Sequence, residues 1–441
     1  MRGADGALRP APARRTRATR DRSAGSRYHV AAMRYLLAIV LFLAGVAGSA
    51  GAHAAAFALD YRVRFLPTED AAEVVMQVSP VEGARPTHFD LLMPRARYTV
   101  LGADGETARK GSRLHWQVPE SGGSLRYRYR ITRQRGSGYD ARIDERLALL
   151  RGDQLFPAGT MRATRGARSR TTVRFELPEG WSVETPYRLH EGGYFLVEWP
   201  DRRFARPVGW LIAGDIGVRR DTFDGSEFVI AAPRGESMRR QDILAMIHWV
   251  HYELKLAFGE LPDKVLIVGA GDPSWRGGLS GPRSLYIHAD RPLILEDGTS
   301  TLLHELTHSL TRIRGTENHN WIAEGIAEFY AVELLHRAGV TSDERNRRTR
   351  EFLRRRERGV DTLIARNCTG PCIAAAAVLF QDLDAEIRKA SGGERSLDDV
   401  VRALMGEGRV SPERLREVVR EIGGKDSRVL KSRKIRVTGS S

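Results

Sequence analysis

Leu303-His304-Glu305-Leu306-Thr307-His308 is an H-E-x-x-H pattern inside a run that is helical by its own apolar spacing. On a helix, residues four apart project from the same face. His304 and His308 can therefore reach one zinc ion, with Glu305 beside them as a base. Fifteen residues separate His308 from Glu324, which lies in the next helical run, Trp321-Ile322-Ala323-Glu324-Gly325-Ile326-Ala327-Glu328-Phe329-Tyr330. The spacing predicts helices over Ser300–Ile313 and Asn320–Ala338, joined by the polar turn Arg314-Gly315-Thr316-Glu317-Asn318-His319. A helix, a tight turn and an antiparallel helix bring a carboxylate back over the two histidines, completing a His, His, Glu set with one open position. Glu328, one turn beyond Glu324, is a rival ligand. The expected arrangement has Glu324 on the metal and Glu328 orienting a histidine.

Outward from this pair of helices the pattern changes. Residues 57–230 alternate with period two between Gly, Pro and Asp breaks, most cleanly in Leu125-Arg126-Tyr127-Arg128-Tyr129-Arg130-Ile131, which predicts a β-sandwich. The Tyr/Arg stripe is the ordinary apolar-in, charge-out face of an antiparallel sheet. Helical spacing follows over Ser237–Ala257, then strands at Lys264–Val268 and Ser284–His288. Gly269-Ala270-Gly271 lacks the third glycine of a dinucleotide turn and is followed by Pro273, so it reads as a loop. Beyond residue 340 the chain is helical and charged: Arg and Glu interleave as on a solvated helix face over 343–358, residues 373–377 are Ala-rich, and amphipathic stretches begin at Leu397 and Pro412. Residues 426–441 are expected to be disordered.

H-E-x-x-H followed by W-x-x-E-G-x-A-x-[FY] resembles the gluzincin metallopeptidases, and most of all their glycyl-aminopeptidase-like branch. Ser396-Leu397-Asp398-Asp399-Val400 is similar to a stretch in that branch's helical region. The resemblance implies a multidomain chain: an N-terminal β-sandwich (57–230), a thermolysin-like α+β zinc domain (231–340) and a C-terminal helical domain (341–425). It also implies one zinc ion per chain on His304, His308 and Glu324, with Glu305 taking a proton from the attacking water and passing it to the leaving amine.

Two positions depart from that pattern. The branch lines its cleft with a Gly-Gly-Leu-Glu motif whose carboxylate helps to hold the substrate amine. This chain reads Gly277-Gly278-Leu279-Ser280-Gly281, with Gly277 to Ser280 as substrate-contacting candidates but no acid there. Exopeptidase and endopeptidase modes both stay open. The branch also places an oxyanion-stabilising Tyr in its helical part, whereas no tyrosine follows Tyr330, and the aligned segment is Cys372-Ile373-Ala374-Ala375-Ala376-Ala377. Losing one such donor costs about a hundred- to a thousandfold in turnover. His319 is a candidate replacement. His288, ending the strand expected along the cleft, is a candidate substrate contact; His248, His251 and His336 read as solvent-facing residues and not as ligands.

Composition limits the alternatives. The 441 residues carry 70 Lys+Arg against 55 Asp+Glu, a formal charge of +15, but only seven of the bases are lysine, which points to genome composition rather than to a polyanionic partner. Residues 1–54 hold nine arginines and two aspartates, leaving +8 over the remainder, too dilute to argue for nucleic acid. Met33-Arg34-Tyr35, the apolar run Leu36–Val46 and the small-residue end Ala52-His53-Ala54 predict a signal peptide over 33–54. Residues 1–32 are then a non-translated or disordered extension, with translation starting at Met33. The expected location is periplasmic or secreted, with a membrane tether as the alternative if the segment stays uncleaved. Cys368 and Cys372 fit either a local disulfide or two buried thiols and are too few for a zinc site. Gly278-Leu279-Ser280-Gly281-Pro282 has proline where a serine nucleophile elbow needs glycine.

The function expected from these features is an exported zinc metallopeptidase acting on peptides or unfolded proteins, with no nucleic-acid partner. Its alternative is a catalytically impaired pseudo-peptidase that keeps zinc structurally and binds a protein or peptide.

Overall fold

Alternation builds the N-terminal region. In strand Gly123–Arg130, Leu125, Tyr127 and Tyr129 are buried while Arg126 and Arg130 face solvent. The computed structural model describes residues 56–81, 83–199 and 202–435; the signal-like segment 33–54 and residues 1–32 lie outside them. A seven-stranded sheet, with Ala56–Leu66 at its centre between Ala71–Ser79 (antiparallel) and Arg168–Glu176 (parallel), shares one apolar core with a four-stranded and a five-stranded sheet. Phe57 and Tyr61 from the first meet Phe89 and Trp116 from the second and Leu150 and Leu211 from the third in that core.

The strand Leu147–Arg151 belongs to the five-stranded sheet and is buried on both faces. Ala148 and Leu150 enter the sandwich core, while Leu147 and Leu149 join Trp210, Val229, Leu266 and Tyr286 in a second cluster. That cluster fastens the sandwich to another five-stranded sheet, ordered 216–223, 226–233, 264–270, 284–288 and 278–281. Ile216–Phe223 and Ser226–Pro233, counted above with the β-region ending at 230, thus pair into this second sheet. Gly269 and Ala270, expected in a loop, extend its central strand instead, where a side chain at 269 would strike Met238 and the Ile287 carbonyl.

Among the described residues seven helices of more than one turn pack on this sheet and on each other: α1 (Arg240–Phe258), α2 (Thr301–Thr311), α3 (Trp321–Arg337), α4 (Asp343–Arg356), α5 (Pro371–Ala390), α6 (Leu397–Leu404) and α7 (Pro412–Gly423). One continuous core links Ile247 of α1, Leu306 of α2, Phe329 of α3 and Phe380 of α5 to Leu415 of α7 and on to Leu430 and Ile435. Residues 426–435, expected to be disordered, are therefore ordered. Glu386 accepts hydrogen bonds from the Ser427 hydroxyl and from the amides of Arg428 and Val429, and the Leu363 amide donates to the Lys434 carbonyl. Residues 436–441 lie outside the described part.

The Ser396–Val400 segment has a definite task. Ser396 caps α6 in a reciprocal box with Asp399, while Asp398 reaches α3, accepting from the Tyr330 hydroxyl at 2.8 Å and from Arg337 at 2.7 and 3.2 Å. Removing one partner of such a buried pair leaves charge uncompensated. Asp398→Ala is expected to lower unfolding free energy by about 3 kcal/mol, seen as a lower urea midpoint; a change under about 0.5 kcal/mol would mean the network carries no stability. Among the described residues no helix is long and apolar enough to cross a membrane.

Candidate metal centre

Helix α2 starts where Ser300 accepts a bond from the Leu303 amide, and its apolar face (Leu302, Leu303, Leu306, Leu310) enters the core. This leaves His304, Glu305 and His308 half-buried on the cleft side. Helix α3 is apolar nearly all round, as a helix inside a core must be. Gly325 is what lets it approach α5: a Cβ there would lie 2.7 Å from a Phe380 ring carbon and 2.8 and 2.9 Å from Ala376 atoms. The Ala-rich run at 373–377 is the other half of that close contact. Gly325→Ala is expected to cost about 2 kcal/mol by overpacking and to weaken metal binding, because Glu324 is the adjacent residue. Unchanged melting temperature together with unchanged metal affinity would contradict this.

The two helices bring three ligand atoms together. Nε2 of His304 stands 3.2 Å from Nε2 of His308, and Oε2 of Glu324 lies 3.3 and 3.5 Å from those nitrogens. His304, His308 and Glu324 form the one group able to hold a metal ion among the described residues. A tetrahedral ion with bonds of about 2.0–2.1 Å needs ligand atoms about 3.3–3.4 Å apart. The observed triangle has that size, and a two-imidazole, one-carboxylate donor set suits zinc.

Without a metal these groups stabilise one another's charges. Burial disfavours charge on His304, but its bonds to Glu324 and Glu328 push its pKa well above the ordinary imidazole range. Burial likewise opposes ionisation of Glu324, yet the two histidines hold its carboxyl well below the usual carboxylate range. Glu328 Oε2 lies 2.8 Å from His304 Nδ1, so Nδ1–H donates there and Nε2 is left for a metal. Asn320 donates to the other oxygen of Glu324 at 3.1 Å, a contact the sequence did not suggest.

Around this centre is a cleft of about 400 Å³, with Glu305, Asn320, Ala323 and the edge strand Gly278–Gly281 in its walls. Gly278 is fitted to Glu305: a Cβ at 278 would sit 2.5 Å from Glu305 Cγ and 2.8 Å from Thr301 Cγ2. Leu279 and Ser280 line the same cleft, and Gly277 lines its continuation toward α5, a chamber walled on the helical side by Cys368, Ile373 and Ala374. Ile373 thus occupies the helical wall without offering a donor. Cys368 and Cys372 are joined as a disulfide at the start of α5.

Two candidates are not brought to the cleft. His288 is buried, its Nδ1 accepting from the Asp290 amide and its Nε2 3.5 Å from Asp272. Its strand, Ser284–His288, is buried on both faces, so alternation could not assign a side. His319 accepts from the Trp321 indole at 3.4 Å and does not line the cleft. In their place stand arginines that the sequence gave no reason to choose: Arg135 and Arg151 from the β-region, and Arg312 and Arg314 just past α2. Arg135 lies over the Trp275 ring at 5.3 Å.

No protein-family model and no curated protein matches the sequence. Solved structures do resemble the chain in fold. An aminopeptidase N family protein from Idiomarina loihiensis superposes with a TM-score of 0.59 at 14% identity, covering 79% of this chain and 70% of the other. Aminopeptidase A from Legionella pneumophila, solved with aspartic acid, gives 0.50 at 13% identity over 86% of this chain, which spans 49% of that enzyme. Native leukotriene A4 hydrolase from Saccharomyces cerevisiae gives 0.50 at 14% identity, covering 86% of this chain and 66% of the other. At such identities the shared property is the fold, a multidomain α+β arrangement common to these aminopeptidase-like structures.

Proposed function

We propose that the chain is an exported zinc-dependent peptidase in which His304, His308 and Glu324 hold the metal and Glu305 is the general base. The convergence of three ligand atoms on a tetrahedral face, beside Glu305 and an edge strand, is the observation that carries this reading. The gluzincin-like motifs and the aminopeptidase-like fold support it. The Cys368–Cys372 disulfide supports export, since such bonds persist in oxidising compartments.

Zinc held there would act as a Lewis acid toward water and the scissile carbonyl. Glu305 takes a proton from the attacking water as its oxygen bonds to the carbonyl carbon; the C–N bond then breaks and Glu305 delivers the proton to the leaving amine. In this reading Arg135, one of the cleft-wall arginines and, among the described residues, the one of them that also lines the adjoining chamber with His304, Glu305 and Glu324, meets the negative charge developing on the carbonyl oxygen in place of the missing tyrosine. Gly278–Gly281, an edge strand along the cleft, offers main-chain pairing to an extended peptide. The cleft continues on both sides of the centre, which favours cuts within a chain over removal of one terminal residue.

The test is incubation of the purified chain with a mixed peptide library, read by mass spectrometry, in zinc-loaded, chelated and zinc-restored arms. Cuts that vanish with the chelator and return with zinc are expected. Absence of cuts from zinc-loaded protein would reject the reading in favour of a peptide-binding module that keeps its metal structurally.

A further inference from the structure

Past the C-terminal end of the edge strand the cleft widens into a chamber of about 840 Å³. Among the described residues six arginines line it, Arg151, Arg202, Arg206, Arg312, Arg314 and Arg409, against one carboxylate, Asp153. Arg151, Pro282, Arg312 and Arg314 line both this chamber and the cleft at the candidate metal centre, so the two are continuous.

Among the described residues the charge here is not balanced. Asp153 is engaged by Arg151 at 3.1 Å, and Arg206 donates to the main-chain oxygens of Asp153 and Phe156. Arg202, Arg312, Arg314 and Arg409 have no ion pair among the described residues. Some exposed arginines elsewhere pair with acids, as Arg347 does with Glu344 and Glu351 and Arg414 with Glu407 and Glu417, whereas here four without such a pair line one chamber. Glu407, two residues before Arg409, is turned to Arg414 and not to the chamber.

The fold also presses these cations together. Arg314 and Arg409 are direct partners in the short parallel pairing of Arg314–Gly315 with Arg409–Val410, and like charges placed opposite one another on paired strands repel. Burial, and then the neighbouring guanidinium groups of Arg314, Arg202 and Arg283, hold the Arg312 pKa below its ordinary value. Exposed arginines gathered around one chamber, with a single carboxylate among its described lining residues, suit an anion from outside.

We propose that this chamber binds carboxylates of the substrate, so that the site selects acidic peptides, with Asp, Glu or a terminal carboxylate held to one side of the scissile bond. The inference rests on the peptidase reading for its substrate. The chamber favours a peptide over a nucleic acid because the aromatic ring at its wall, Trp199, is already covered by Arg202 and Arg312 at 5.3 and 4.8 Å, leaving no platform for base stacking.

The test uses full-length protein and short peptides in which a Glu pair is walked along the chain, each matched by its Gln isostere and each made with a free or an amidated C-terminus. Binding is measured on Glu305→Gln protein and cleavage on wild type. At one register the Glu peptide is expected to bind about tenfold or more tightly than its Gln partner at low salt, with the ratio shrinking as salt rises. The ratio should fall toward one in an Arg314→Gln/Arg409→Gln variant whose melting temperature is not lowered. The amidated arm separates a terminal carboxylate from acidic side chains. Equal binding of Glu and Gln peptides at low salt overturns the inference, as does tighter binding of a single-stranded oligonucleotide than of any acidic peptide. Cleavage without acidic preference overturns it and leaves the peptidase reading standing; selective binding of acidic peptides without cleavage in any arm does the reverse.

Discussion

Glu305→Gln is expected to lower kcat/KM on any cleaved peptide by about a thousandfold, while metal content and melting temperature stay at wild-type values. The change keeps the side chain's size and removes only its capacity to take and return a proton. Size matters at this position because the carboxylate-bearing chain is packed against Gly278, so a larger or branched replacement would confound chemistry with repacking. Glu305 is not among the converging ligand atoms, so zinc binding does not depend on it. Steady-state kinetics and elemental analysis on the same preparations check both halves. Retained turnover in Glu305→Gln would assign the base to another residue.

Glu324→Ala is expected to have the largest effect on the metal. It removes the one anionic ligand atom and leaves two imidazole nitrogens 3.2 Å apart without the carboxylate that lies near both. Zinc affinity should therefore fall by more than the roughly 10- to 100-fold expected for Glu328→Ala, which acts only through the orientation of His304. Competition titration with a chelating dye measures both variants on one scale. If Glu328→Ala proved the more damaging, the two carboxylates would have to exchange roles. Loss of bound zinc should also lower apparent stability by mass action, so wild-type and Glu324→Ala melting temperatures should converge once zinc is chelated.

Much of the site was legible because its signals are local. The i, i+4 histidines and the apolar faces of α2 and α3 are properties of single helices, and the short polar turn between them leaves an antiparallel return as the compact solution. Gly325 and the Ala run at 373–377 stood out in composition, but their shared purpose, a close α3 to α5 approach, is visible only in three dimensions. Period two could not show which sheet the 216–233 hairpin joins, since antiparallel pairs read alike in either. The ordering of residues 426–435 depends on Leu430 and Ile435 reaching a core built by distant helices. The arginines of the cleft were invisible for a different reason: in a chain with 70 basic residues, nearly all arginine, no single one stands out until β-strands and helix ends far apart in sequence assemble them.

The most direct test of the metal assignment is X-ray absorption at the zinc edge on full-length protein carrying one zinc per chain, compared with His308→Ala. The expected wild-type spectrum is four-coordinate, with two imidazoles and only nitrogen or oxygen ligands at about 2.0–2.1 Å, losing one imidazole in the variant. A spectrum with sulfur ligands, or one unchanged by His308→Ala, would place the metal elsewhere and contradict the account.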